Sequence, residues 1–97
     1  MAAESMVAAA TMLAAIKIDL GITTDAYDSR LQDYLGIASK AIETEGITVS
    51  DTTEDINLVV MYAAWLWRKR AENVPMPRML RWQLNNRLFR EKVSDNG

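Results

Sequence analysis

The sequence predicts an all-α fold, a compact bundle of about four helices around a central, buried third helix. Three observations carry this expectation. Apolar residues recur at three- and four-residue spacing over most of the chain. Gly21, Gly46, Pro75 and Pro77 fall between those periodic segments, where helices stop and start. The only β-leaning stretch, ITVSDTT over 47–53, is too short to build a sheet.

The first helix is expected from about Ser5 to Asp19, with Met6, Ala9, Leu13, Ile16 and Leu20 on one stripe and Gly21 as its stop. Its alanines favour helix and allow close packing. Thr23-Thr24-Asp25 offers an N-cap for the second helix, and Asp25 and Asp28 complement its positive end. That helix places Tyr27, Leu31, Tyr34, Leu35, Ala38, Ala41 and Ile42 on one face, with Gly46 after its end. Gly36 costs about 1 kcal/mol against alanine inside a helix, which points to a close helix crossing there.

Residues 47–53 read as a loop ending in a helix start. Thr52 with Asp55, or Asp51 with Glu54, resembles a capping box. The third helix is expected over Glu54–Asn73. Ile56, Val59, Val60, Ala63 and Trp67 form one face and Leu58, Tyr62 and Trp65 the opposite one, so it should be covered on all sides. Val74-Pro75-Met76-Pro77 breaks the chain, and Pro77 suits the first position of a fourth helix running to about Val93. The expected organisation is one helical domain over 1–97, with 1–12 as an N-terminal extension and 94–97 as a frayed tail.

With 49% hydrophobic and 25% charged residues, the 97-residue chain has the make-up of a soluble globular domain. Cysteine and histidine are both absent, which excludes disulfides, thiolate and imidazole catalysis, and zinc sites built from those ligands. The longest apolar run, Leu58–Trp67, is ten residues, against roughly 20 for a membrane span. The N-terminus faintly resembles an export signal but carries Glu4 and has no basic residue before Lys17, so an alanine-rich helix is the expectation.

Charge is unevenly spread. Residues 1–67 carry three basic against ten acidic side chains, and residues 68–92 carry eight basic against two acidic. A molecule with an acidic and a basic part can attract copies of itself or present one sign to a partner. On a helical wheel Leu80, Leu84 and Leu88 form one stripe of the fourth helix, flanked by Arg78, Arg81 and Lys92 on one side and Arg87 and Arg90 on the other. Trp82 and Phe89 fall roughly opposite the leucines, with Met79 nearby. Aromatics among arginines are the composition of a binding hot spot; the other reading is that a helix of the same chain covers them. The expected partner or subunit interface is therefore Arg78, Arg81, Trp82, Arg87, Phe89 and Arg90.

Neither carboxylate cluster, Asp25 with Asp28 or Asp51 with Glu54 and Asp55, asks for a metal or for acid–base chemistry, since both fall at expected helix starts. No phosphate loop or nucleophile elbow is present. No enzyme, cofactor or metal is expected. Direct DNA binding through 68–92 is the alternative, with Asn85 and Asn86 as base readers, but the two prolines and the apolar Trp82, Leu84 and Leu88 suit a recognition helix poorly.

Several segments carry a family resemblance. They are Lys17-Ile18-Asp19-Leu20-Gly21-Ile22, Glu43-Thr44-Glu45-Gly46-Ile47, the run from Leu58 through Met61-Tyr62-Ala63-Ala64-Trp65-Leu66-Trp67 to Arg70, Met76-Pro77-Arg78-Met79-Leu80-Arg81, and Leu84-Asn85-Asn86-Arg87-Leu88-Phe89-Arg90. Over about residues 13–92 the chain resembles the small head–tail connector (head-completion, adaptor) proteins of tailed bacteriophages and prophages. The resemblance implies an all-helical subunit of the virion, assembled in the bacterial cytoplasm, that forms a ring beneath the portal with nominal twelvefold symmetry. Such a ring extends the DNA channel without recognising the DNA and gives a tail or stopper protein a docking surface.

Overall fold

Helix α1 spans Ala2–Leu20 and is closed by glycine. Gly21 takes φ +71°, and the Gly21 and Ile22 amides donate back to the Ile18 and Lys17 carbonyls at 3.2 and 2.8 Å, the paired bonds of a Schellman ending. The computed structural model describes the backbone of residues 2–96 and the side chains of 8–93. The expected extension is thus continuous with α1 from Ala2, and among the described side chains Ala8 is buried, with Met12 and Ile16 following it into the core. Ala9, placed on the core stripe by the sequence, is exposed instead: the inner face runs through Ala8, Met12 and Ile16, every fourth residue. Met6's side chain and Met1 lie outside the described residues.

Helix α2 (Asp28–Thr44) starts later than the Thr23-Thr24-Asp25 cap implied. Thr24 Oγ1 accepts the Ala26 amide at 3.2 Å in a local turn, and Tyr27 occupies the N-cap with no side-chain cap. Lys17 explains the shift: its ammonium lies 2.9 Å from Asp25 and 2.8 Å from Asp28, so both acids tie α1 to α2 and only Asp28 falls in the first turn. Leu31, Leu35, Ala38 and Ile42 form the buried stripe. Gly36 marks no crossing. It is exposed, and a Cβ there would meet nothing within 4 Å.

The turn into α3 does need its glycine. Gly46 takes φ +107°, and a Cβ on it would lie 3.2 Å from Leu88 Cδ1. Thr52 then caps α3 (Thr53–Lys69), accepting the Asp55 amide at 3.2 Å. Helix α3 stops at Arg70, short of the expected Asn73. The chain doubles back toward Pro75 and Pro77, and Trp65 Nε1 donates to the Val74 carbonyl at 3.1 Å, pinning the return. Helix α4 (Arg78–Asn96) follows, with the Pro77 carbonyl accepting the Arg81 amide at 3.1 Å, so Pro77 stands just before the helix and not inside it. The backbone stays helical through Asn96, past the expected end at Val93; Gly97 lies outside the described residues.

Helix α3 is the centre, packing on α1, α2 and α4. Its Leu58, Val59, Val60, Ala63 and Ala64 are buried with Ile16, Ile42, Ile47, Leu80 and Leu84. The expectation of burial all round holds only in part, since Met61, Tyr62, Trp65, Leu66 and Trp67 are half-buried. The Trp67 ring meets Tyr27 and Tyr34 edge-on at 5.8 and 5.6 Å. The helices form a flattened body of 46 × 36 × 18 Å, about two helix diameters thick. Helices α1 and α4 both lean on α3, and the space between them stays open as a groove of 650 Å³.

The two glycines predict opposite outcomes. Gly36→Ala should raise stability by ~1 kcal/mol, whereas Gly46→Ala should lower it by more than that, through its backbone angle and the Leu88 contact. Urea denaturation of both variants checks this; a stability loss at Gly36 would show that its outer face is not free.

Candidate protein–protein interface on the fourth helix

Helix α4 is apolar on two opposite sides. Leu80 and Leu84 are fully buried and Leu88 packs against the core. On the other side Met79, Trp82, Phe89 and Val93 are each more than half exposed, Trp82 at 63% and Phe89 at 67%. Their spacing puts all four within one face of the helix, a stripe about 21 Å long at 1.5 Å per residue. The sequence located Trp82, Phe89 and Met79 there; Val93 completes the stripe. Among the described residues no other helix covers Trp82 or Phe89.

The six expected interface residues divide. Arg78, Trp82 and Phe89 share the outward side of α4, as the helical repeat requires. Arg87 turns inward. Its side chain is only 16% exposed and ion-paired with Asp55, and its Nη2 donates to the Thr48 carbonyl at 2.9 Å. Arg81 reaches Glu45 at 3.3 Å, and Arg90 pairs with Glu54. Arg87 is therefore part of the fold rather than of a partner surface, because Asp55 is buried and needs it.

Asp55 is the one buried charged residue among the described residues. Besides Arg87, it accepts from the Ser50 amide at 2.8 Å and the Ser50 hydroxyl at 2.7 Å. Glu91 adds a bond from the Thr48 amide at 2.8 Å and lies 3.5 Å from Arg87 Nε. One polar clasp thus joins α3, α4 and the 47–52 loop. Burial by itself would push the Asp55 carboxyl up, but hydrogen bonds from Arg87 and Ser50 outweigh it and hold it at about 2, below the ordinary 3.8. Sequence reading placed Asp55 at a cap and missed its pairing, since Arg87 lies 32 residues away and no local pattern links them.

The basic segment is also largely satisfied inside the chain. Of its eight cations, Arg68, Arg81, Arg87 and Arg90 pair with Asp19, Glu45, Asp55 and Glu54 of the acidic part. Lys69 lies 5.0 Å over the Trp65 ring and Arg70 3.9 Å over Trp67. Arg78 and Lys92 have no ion partner among the described residues. Arg78 opens α4, whose first turn holds no acid, at the helix end that disfavours positive charge.

The groove between α1 and α4 has Leu58 and Met61 in its floor, Ile18 on one wall and Trp82 on the other. Among the described residues no group of three or more acidic side chains is arranged to hold a metal ion, and no helix is long and apolar enough to cross a membrane. Comparison with family models, curated proteins and solved structures finds no match for this chain.

Breaking the clasp should be costly. Arg87→Ala leaves Asp55 buried without its counter-charge, and a loss of ~3 kcal/mol is expected in urea denaturation; a loss below about 1 kcal/mol would contradict a buried pair. Because folding lowers the Asp55 pKa, its contribution, on the order of 2 kcal/mol, is present in full above about pH 4 and disappears as the pH falls toward 2. Acid titration of stability should show that loss, and Asp55→Asn should flatten it.

Proposed function

We propose that this protein is a structural, non-catalytic subunit of a tailed-bacteriophage particle: a head–tail connector that assembles as a ring beneath the portal, extends the DNA channel and offers a docking surface to a tail or stopper protein. The observation that carries the reading is the bare stripe of Met79, Trp82, Phe89 and Val93 on α4, beside Arg78 and Lys92. A small protein rarely leaves several large side chains exposed on one helix face unless a partner covers them. The resemblance adds the identity of that partner. Its most specific segments, Met61–Arg70 and Met76–Arg81 with Leu84–Leu88, fall on the second half of the central helix and the first part of the stripe-bearing one.

The alternative, DNA binding through 68–92, is less well supported. Six of the eight cations there are engaged by acids or tryptophan rings of the same chain, so phosphates would compete with existing contacts. A basic segment satisfied in this way suits a channel component that lets DNA pass without holding it. In this reading the protein sits at the head–tail junction of the virion after assembly in the bacterial cytoplasm.

The test is binding of the purified chain to the portal ring of the same phage, followed by sedimentation. Attachment is expected, and Arg78→Glu with Arg81→Glu should weaken it at least tenfold. No attachment, or tight duplex binding whose log affinity falls steeply with log salt, would overturn the connector reading in favour of the DNA-binding one.

A further inference from the structure

We infer that the outward face of α4 is a coiled-coil seam for one amphipathic helix of a different protein, apolar on its contact face and acidic along both edges of that face. The inference goes beyond the ring reading and does not rest on it. The exposed stripe has a stricter spacing than a helical face requires. Met79, Trp82, Asn86, Phe89 and Val93 follow one another at intervals of three, four, three and four, the a and d positions of two heptads. All five are exposed. The home core uses the other side of the helix, where Leu80, Leu84 and Leu88 occupy b, f and c positions of the same heptads. A row confined to a and d is narrower than the usual apolar face of a surface helix and is the mark of a helix–helix seam. Its one polar member, Asn86, stands at the middle a position, where an asparagine fixes register at some cost in affinity.

The flanks of the seam set the charge of the partner. Its e and g positions hold Arg78, Gln83, Asn85, Arg90 and Lys92, three cations and no acid. Arg90 stays half exposed beside its pair with Glu54, while Arg78 and Lys92 have no ion partner among the described residues. Edge charges across such a seam select the partner and its orientation. A second copy of the chain answers these edges poorly. Laid parallel, it sets Arg78 against Gln83 and Asn85 against Arg90; laid antiparallel, it sets Arg78 against Lys92. Neither arrangement forms an attractive pair, whereas a helix with glutamates at its own e and g positions offers one to every cation. The contact is modest in area. Two aromatics about two-thirds bare supply about 200–300 Å². Met79, Val93 and the aliphatic stems of the flanking cations bring this to roughly 500 Å² per partner, within the range of transient complexes. The core already holds α4 in place, so only the partner helix must be ordered on binding.

A labelled synthetic peptide of three heptads, with leucine at a and d and glutamate at e and g, tests the seam on the full chain by fluorescence anisotropy. Its glutamates repel copies of the peptide, so it does not pair with itself. Binding with a dissociation constant on the order of 10 µM is expected for a contact of this size. The same peptide with lysine at e and g should bind at least tenfold more weakly. Arg78→Glu with Lys92→Glu should reverse that order, weakening the glutamate peptide and strengthening the lysine one. Trp82→Ala with Phe89→Ala should abolish binding of both, while circular dichroism and thermal unfolding show each variant to be folded. No binding of the glutamate peptide at 1 mM protein, equal binding of the two peptides, or no reversal in the charge variant overturns the inference. Sedimentation equilibrium adds one further check: self-association of the wild type that Trp82→Ala with Phe89→Ala removes would make a second copy the occupant and overturn it too. Portal attachment plays no part in these measurements, so the connector reading and this inference fail separately.

Discussion

The placement of α4 depends on the ion pair between Arg87 and Asp55. A carboxylate sealed beneath a helix start is expensive to bury unless its charge is matched and its lone pairs are used, and here Arg87 and Ser50 do both. That requirement sets α4's rotation about its own axis. With Arg87 turned in toward Asp55, Leu80 and Leu84 meet the core on the same side, and the helical repeat then forces Trp82 and Phe89 outward. The exposed stripe is thus a consequence of how the inner face is fixed. It cannot be hidden by turning the helix without unpairing Asp55.

The same logic changes the meaning of the charge asymmetry. In sequence, the acidic and basic parts look like two surfaces waiting for partners. In the folded chain four arginines of the basic segment answer acids of the rest. Pairs such as Arg81 with Glu45 and Arg68 with Asp19 are largely exposed and contribute little to stability. What they do is cancel field, leaving Arg78 and Lys92, beside the α4 stripe, without an ion partner among the described residues. For the partner proposed above, apolar contact rather than bulk charge would then be the main source of affinity, with these two cations setting orientation.

Much of the fold was legible because its signals are local. Gly21 and Gly46 ended the helices they were expected to end, Thr52 proved to be the cap, and the leucine stripe of α4 faced inward as spacing required. The errors arose where distant residues intervene. Thr23 and Thr24 looked like a cap until Lys17 drew Asp25 away, and Gly36 looked structural although its surroundings are empty. At the site, Trp82 and Phe89 were readable from a wheel. The inward turn of Arg87 was not, because it depends on a carboxylate in another helix, and the groove beside Ile18 exists only once α1 and α4 have both settled on α3.

A double-mutant cycle on Asp55→Ala and Arg87→Ala, read by urea denaturation, tests most directly whether this pair fixes α4. The two single losses should exceed the loss in the double variant when summed, with a coupling on the order of 2 kcal/mol. Additive losses, with coupling near zero, would mean that the residues act independently and that the outward face of α4 is set by something else.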